Sequence, residues 1–491
     1  MPDNDEILFN NAQRELAAAI RQASDAHEHV SALKEQLGRI QRELANFTRF
    51  NAVSNREPTP AHKKLIDAEA QVRKDLDEAI KKRITDKSIV GTRLADFAVF
   101  TDPRKQIGKL DDKYPVLLMP VRLETRFKQI TERERAVHQL WIRIYPDECA
   151  VDSFEATLSE MEVENAIIYW QKIWEAGEDE NRERGAWRSL VQSHGSGRAA
   201  YIISQFKPAS FSQRLKRNSP EEIILVSNGV VPAIQQEADE LEKYWKGSWT
   251  NFGDAVEEKK LRDAIVNVLG SQRAGELIEK YMPSNFLAVP PTGKKRTEVL
   301  VRLSYLDLPA ADSVQTKQQS WSQAPKVHIM PDRFVLIGYR NGQEVFNEMT
   351  LPIPVPLAVG PDPSATEGEA FKKDANGDMV VEDELKWMTD FDAAIAKGMG
   401  IKITLNADQL AAGFDRIIAL GVRMSTDHTG GQALLEELID HHHKSRKGFS
   451  IIKQGTPSNN TEGDTSGYLQ ADDADESYDD LKKGKLFDIE T

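Results

Sequence analysis

The chain has 491 residues, 40% of them hydrophobic and 29% charged, with a formal net charge of −14. That length allows roughly two to four domains and a sizeable core, while the acidic balance excludes the basic footprint of a broad nucleic-acid binder or of a protein held on an anionic membrane. The single cysteine, Cys149, excludes an intrachain disulfide framework, and no apolar run is long enough to span a bilayer.

The lone thiol fits a reducing compartment. The N-terminus, Met1-Pro2-Asp3-Asn4-Asp5-Glu6, is acidic and has no apolar stretch behind it, so no secretory signal is expected. The expected location is the cytoplasm, or release with a particle by a route that reads no signal peptide.

The clearest element comes first. Leu33, Leu37, Ile40, Leu44 and Phe47 follow one another at spacings of four and three, the a/d seam of a coiled coil on a helix over 5–49. Leu16, Ile20 and Val30 extend the stripe upstream. Breaker residues over 50–60, among them Asn55, Pro58 and Pro60, precede a second helix over 61–87 with Leu65, Val72, Leu76 and Ile80 on one side. Two helices joined by a short break predict an antiparallel hairpin. Its seam is expected either to pack on the chain itself or to serve as a docking or dimerisation arm.

The next stretch, 114–147, carries the first strands. Val116 to Met119 is a short apolar run closed by Pro120, which is expected to be a strand buried on both faces. From Val121 to Phe127 the pattern alternates, with Arg122, Glu124 and Arg126 on one face. Leu140, Ile142 and Ile144 alternate with Trp141, Arg143 and Tyr145 in the same way. The charged spacer over 128–139 is expected to be a loop or a long hairpin connection. Three arginines and a glutamate then share a polar face, which predicts cross-strand ion pairs. The alternative is a carboxylate- or phosphate-binding surface, because Arg offers a bidentate fork.

Helices are expected over 153–176, 185–192, 198–206, 234–244 and 255–281, with strands over 221–226, 297–305 and 326–330. Gly195-Ser196-Gly197 before Arg198 is a Gly-rich helix entry. Its free amides could hold an anion, although it lacks the spacing of either phosphate fingerprint, and helix capping is the default. Asn341-Gly342 between two apolar alternating runs predicts a β-hairpin. Prolines over 352–363 make a semi-rigid connector. Asp374-Ala375-Asn376-Gly377-Asp378 fails the calcium-loop spacing and is expected to be an acidic turn. From 390 to 453 short strands and helices alternate, which suggests a partly parallel sheet. His441, His442 and His443 point about 100° apart on a helix and cannot all ligate one metal.

The expected fold is α+β or mixed α/β. It comprises a coiled-coil-like helical hairpin over 1–90 and a body with a mixed or antiparallel sheet over 91–351. A Pro-rich and acidic connector follows over 352–385, an α/β segment over 386–454, and a polar acidic tail, expected to be mobile, over 455–491.

Four phrases carry a resemblance: Pro120-Val121-Arg122-Leu123-Glu124-Thr125-Arg126-Phe127, Ala186-Trp187-Arg188-Ser189-Leu190-Val191, Gly197-Arg198-Ala199-Ala200-Tyr201-Ile202 and Gln454-Gly455-Thr456-Pro457-Ser458-Asn459-Asn460-Thr461. Over 114–465 the chain resembles a large family encoded beside bacterial contractile injection systems, the phage-tail-like particles. The resemblance implies a structural accessory or a cargo of such a particle and brings no catalytic residues. It also implies further chain after the Gln-Gly-Thr-Pro segment, so this sequence would be a shortened form.

The leading expectation is therefore a non-enzymatic assembly or cargo protein acting through protein–protein contacts. Leu33, Leu37, Ile40, Leu44 and Phe47 are its candidate partner-binding residues, and self-association through the hairpin is a further option. The rival is a hydrolase-type enzyme with a site at Arg122, Glu124, Arg126, Arg143 and Asp147. A third reading is a ligand-binding module at Gly195, Ser196, Gly197 and Arg198. No metal, no cofactor, no nucleic acid and no membrane insertion are expected.

Overall fold

The computed structural model describes residues 4–54, 60–107, 118–209, 211, 214–310, 316–317, 324–361, 371–373, 379–381, 383–446 and 474–483. In chain order the helices are α1 (Asn4–Ser54), α2 (Pro60–Phe97), α3 (Pro103–Ile107), α4 (Glu160–Ala176), α5 (Glu180–His194), α6 (Ser196–Gln205), α7 (Gln235–Thr250), α8 (Ala255–Leu269) and α9 (Ser271–Lys280), then α10 (Lys386–Thr389), α11 (Phe391–Ala396), α12 (Ala407–Ala412), α13 (His428–His443) and α14 (Ala474–Lys482). The strands are β1 (Val121–Glu132), β2 (Arg135–Pro146), β3 (Ile223–Asn228), β4 (Val301–Leu306), β5 (Lys326–Val327), β6 (Phe334–Arg340), β7 (Gln343–Met349), β8 (Leu357–Ala358), β9 (Phe371–Lys373), β10 (Met379–Val381), β11 (Gly400–Leu405) and β12 (Arg416–Gly421). The fold is mixed α+β, opened by a helical hairpin. Among the described residues no helix is long and apolar enough to cross a membrane.

The chain divides into two units, 1–154 with 321–441, and 155–320 with 442–491. In the first unit α1 and α2 pair along the predicted stripe. Val30, Leu33, Val72 and Ala79 are buried between them, with Leu37, Ile40, Leu76 and Ile80 against them. Nearer the base, Leu16, Leu94 and Phe97 gather Phe9, Phe100 and Met424. Asp86 is buried in the seam and accepts from Gln22 Nε2 at 2.8 Å.

β1 and β2 form a long hairpin, and β11 adds to the other side of β2. The charged spacer is therefore mostly strand, turned by Arg133 and Glu134 in the left-handed region at φ 46° and 66°. A second sheet runs β12-β6-β7, its hairpin closed at Asn341-Gly342 as the dipeptide predicts. Leu140, Ile142 and Ile144 are fully buried with Phe334, Leu336, Trp387, Met399 and Ile403. The predicted partly parallel sheet over 390–453 is corrected, since β11 and β12 both pair antiparallel with strands far upstream. A parallel crossover needs about a dozen residues or more, and the short α12 connection between these strands is no such bridge. The expected separate segment 386–454 is corrected with it, because 386–441 completes the unit of the first strands. The strand expected over 449–453, the acidic turn over 374–378, Val116 and Leu117 lie outside the described residues, and the buried strand expected over 116–119 is corrected at Leu118, which is 74% exposed and precedes β1. The connector contributes β8, which pairs with β5.

The second unit is built on a parallel pair, β3 with β4, joined through α7, α8 and α9. Parallel strands need cover on both faces. Ile224, Val226 and Leu306 point into α4, α5 and α6; Ile223, Leu225, Val301 and Leu303 point into the α7–α9 layer. The single body expected over 91–351 is thus divided, because 155–320 carries its own two cores. Two of the buried indoles are tied to backbone: Trp174 Nε1 donates to the Tyr305 carbonyl at 2.8 Å and Trp249 Nε1 to the Ala288 carbonyl at 3.0 Å. The expected helix over 153–176 starts later, where Ser159 and Glu162 form a capping box. The acidic tail is corrected in part, since 474–482 forms α14 and packs on α5.

Candidate functional site

The polar face of the first sheet forms by register. Glu124 sits opposite Arg143, Arg122 opposite Tyr145, and Arg126 opposite Trp141. Arg122 pairs with Asp147 at 3.3 Å and Arg126 with Glu124 at 2.5 Å. Arg143 is 8% exposed, with its Nε 3.9 Å from Glu124. Its Nη1 donates to the Met388 carbonyl and, at 3.0 Å, to the Tyr145 hydroxyl. α10 and α11 cover this part of the face: Tyr145 packs on Trp387, and Trp141 on Phe391 at 4.7 Å. Burial pushes the Glu124 carboxyl up, but Arg126 and Tyr145 outweigh it and hold it below the usual range.

These five residues therefore do come together, as ion pairs with each other. The face is not uniformly open to solvent: Arg143 lies under a helical cover the local sequence could not reveal. A general acid needs a raised carboxyl, and Glu124 is lowered. Burial, then Asp147, pushes the Cys149 thiol up to about 11, far from a thiolate nucleophile at neutral pH.

The Gly195 turn opens α6 as predicted, with Gly195 at φ 76° and its N–H donating to Val191 at 2.7 Å. Yet a Cβ built on Gly197 would lie 1.9 Å from the His443 carbonyl oxygen, and one on Gly195 2.2 Å from that of Arg446. Backbone carbonyls of 443–446 occupy the space an anion would need, and their negative ends would repel it. Arg198 is turned inward. Its Nε meets Glu162 Oε1 at 2.7 Å, its Nη2 meets Oε2 at 3.1 Å, and its Nη1 donates to the Glu155 carbonyl at 2.5 Å. Lys317 and Glu155 form a second buried ion pair beside it. The anion-site reading is corrected: the glycines admit a chain, and Arg198 serves a buried carboxylate.

Sequence reasoning missed two long-range clusters of the first unit. Asp332, buried, accepts from the Ser425 amide at 3.0 Å and from that of Met424 at 2.5 Å. Arg423 donates to the His328 carbonyl beside a crevice of about 340 Å³ walled by Met119, Ile329, Leu434 and Leu435. In the other cluster His441 Nδ1 bonds Asp152 Oδ2 at 2.7 Å and stacks on Phe154 at 4.5 Å. No local pattern links residues so far apart, so only covariation between homologues could have signalled them. Among the described residues no group of three or more His, Cys, Asp or Glu could hold a metal ion.

The His441 pair makes stability depend on pH. Its hydrogen bond to Asp152 raises His441 above the ordinary 6.5. That contribution is full below pH 6.5 and is lost as pH rises through the folded value. His328, pushed down by burial near the same Asp152, acts in the opposite sense. Its contribution is present above 6.5 and fades as pH falls. Comparing wild type with His441→Gln isolates the first effect. The wild-type advantage in urea melts should shrink by up to about 1 kcal/mol between pH 6 and 9. A difference that stays flat with pH would show that the pair does not titrate.

The hairpin seam is turned inward. Leu33 is buried against α2, Leu37 and Ile40 pack beside it, and Phe47 stacks on His62 at 5.8 Å. The reading of these residues as partner contacts is corrected, because each helix of the hairpin supplies the other's partner. Leu44 lies half-buried on the same stripe.

No family model matches the chain, and no curated protein and no solved structure matches it either.

Proposed function

We propose that this chain is a non-enzymatic assembly or cargo protein of a phage-tail-like contractile injection particle, and that it works through protein–protein contacts. One observation carries the reading: the distal hairpin is a self-sufficient arm. Its apolar cluster from Val30 to Ile80 is made of hairpin residues alone. Residues 30–54 of α1 reach roughly 37 Å at 1.5 Å per residue. The arm is tied to its own unit near the base, where Lys87 pairs with Glu384 and Gln13 Nε2 donates to the Met424 carbonyl at 2.7 Å. Along the distal part of α2, Ile66 is 47% exposed, outside the closed seam. The hydrolase reading finds less support, because the polar sheet face spends its charges on internal pairs.

The test removes the distal arm and keeps its base. Residues 30–79 are replaced by a short Gly-Ser bridge, since Gln41 bonding Glu69 and Gln22 bonding Asp86 place 29 and 80 side by side. Pull-downs from particle-enriched lysate should recover particle proteins with the full chain and lose them with the shortened one, at an unchanged melting temperature of the body. Equal recovery by both forms, or none by either, would remove the arm from the function.

A further inference from the structure

In the second unit the short helix α14 packs on α5. α14 presents Ala474, Ser477, Tyr478 and Leu481 along one side, a spacing of i, i+3, i+4 and i+7. That is the pattern by which an amphipathic helix lies in a groove. Tyr478 is 3% exposed, and its hydroxyl donates to Glu183 Oε2 at 2.5 Å. Trp187 Nε1 donates to Ser477 Oγ at 2.9 Å. On the rim Arg188 holds Asp475 with two bonds, at 2.8 and 2.5 Å. Arg184 pairs with Asp479 and lies over the Tyr478 ring at 4.7 Å. The pairing of 188 with 475 and of 184 with 479 runs the two helices antiparallel.

This matching has the character of recognition. A nine-residue helix is too short to be stable alone in water, so the groove on α5 supplies its order. The remainder of the core under α5, with Trp170, Trp174, Leu190, Val191 and Ala199, comes from other elements. Only Ser477 and Tyr478 of α14 are buried, while Asp475 and Asp479 keep nearly half their side-chain surface in water.

We propose that the α5 face is a docking groove for an acidic amphipathic helix of the form Asp-x-x-Tyr-Asp, and that α14 is its resident, displaceable occupant. The partner it fits is a protein helix with two acidic residues one turn apart and a tyrosine between them on the buried side. A covalently attached occupant acts at high local concentration. The groove is therefore closed in the resting chain and opens to a partner that is held nearby or binds more tightly. The proposal is independent of the hairpin arm and of the particle reading.

The experiment uses the full chain with a protease site inserted between 460 and 461. After cleavage the C-terminal fragment should remain with the body at low salt. A labelled synthetic peptide, 472–485, should then displace it and bind the body saturably, more weakly at 1 M NaCl because the rim pairs are screened. Tyr478→Ala in the peptide should weaken binding at least tenfold. Arg188→Asp in the body should do the same, with recovery on an Asp475→Arg peptide. Failure of excess peptide to bind or to displace the fragment overturns the proposal. So does equal binding by the Tyr478→Ala peptide, a result that needs no variant of the body to fold.

Discussion

Arg198→Ala is expected to destabilise the chain by about 3–5 kcal/mol, the range for breaking one side of a buried ion pair. Arg198 is 7% exposed and its partner Glu162 is 8% exposed. Removing it leaves a carboxylate out of water that keeps, among the described residues, the Ser159 amide of its capping box at 2.7 Å. The Glu155 carbonyl loses its donor as well. Arg198→Lys should recover less than half the loss, because an ammonium cannot form both fork contacts. The double change Arg198→Met with Glu162→Gln should cost less than the single one, since no charge is then stranded. Urea midpoints measure all three.

The same pair sets an acid limit. Burial pushes the Glu162 carboxyl up, but Arg198 and the Ser159 amide outweigh it and hold it below the ordinary 4.5. Its stabilisation is present above pH 4.5 and is lost as pH falls through the folded value. The variant should therefore differ most from wild type at neutral pH and converge with it in acid. A single-site cost under about 1 kcal/mol would mean that water reaches the pair.

Gly197→Ala is the second large effect, at about 2–4 kcal/mol for forced overpacking. The added Cβ would lie 1.9 Å from the His443 carbonyl oxygen and 2.9 Å from its carbon. Both are backbone atoms, so the 443–446 segment or the first turn of α6 must move. Gly185→Ala is the matched control. It lies within α5 with nothing inside 4 Å of a new Cβ, and should be stabilising by about 0.5–1 kcal/mol through helix propensity. Thermal melts read the difference, and hydrogen exchange of the 443–446 amides should rise only in the Gly197 variant. If both substitutions behave alike, that close approach is absent in solution.

Much of the fold was legible because its signals are local. The seam of α1, the alternation of β1 and β2, and the Asn341-Gly342 turn each depend on residues within a few positions of one another. The site residues divide along the same line. That Arg122, Glu124 and Arg126 share a face follows from period two. That Arg143 is buried follows from α10 and α11, some 245 residues downstream along the chain. Gly195 and Gly197 were visible as an unusual helix entry, but a glycine admits an anion or a neighbouring backbone equally well. Nothing local distinguishes the two.

By itself, then, the sequence determined most of the long helices and strands and the apolar stripe of the hairpin, since backbone sterics and short-range periodicity decide those, while the strand character of the charged 128–139 spacer was not legible in it. The tertiary structure alone decided what each side meets. It closed the hairpin seam on itself, paired β11 and β12 with distant strands, divided the chain into two units and set α14 in the groove of α5. The physical reason is that burial is non-directional. A stripe of Leu and Ile specifies that it must be covered, and only the packed chain specifies by what.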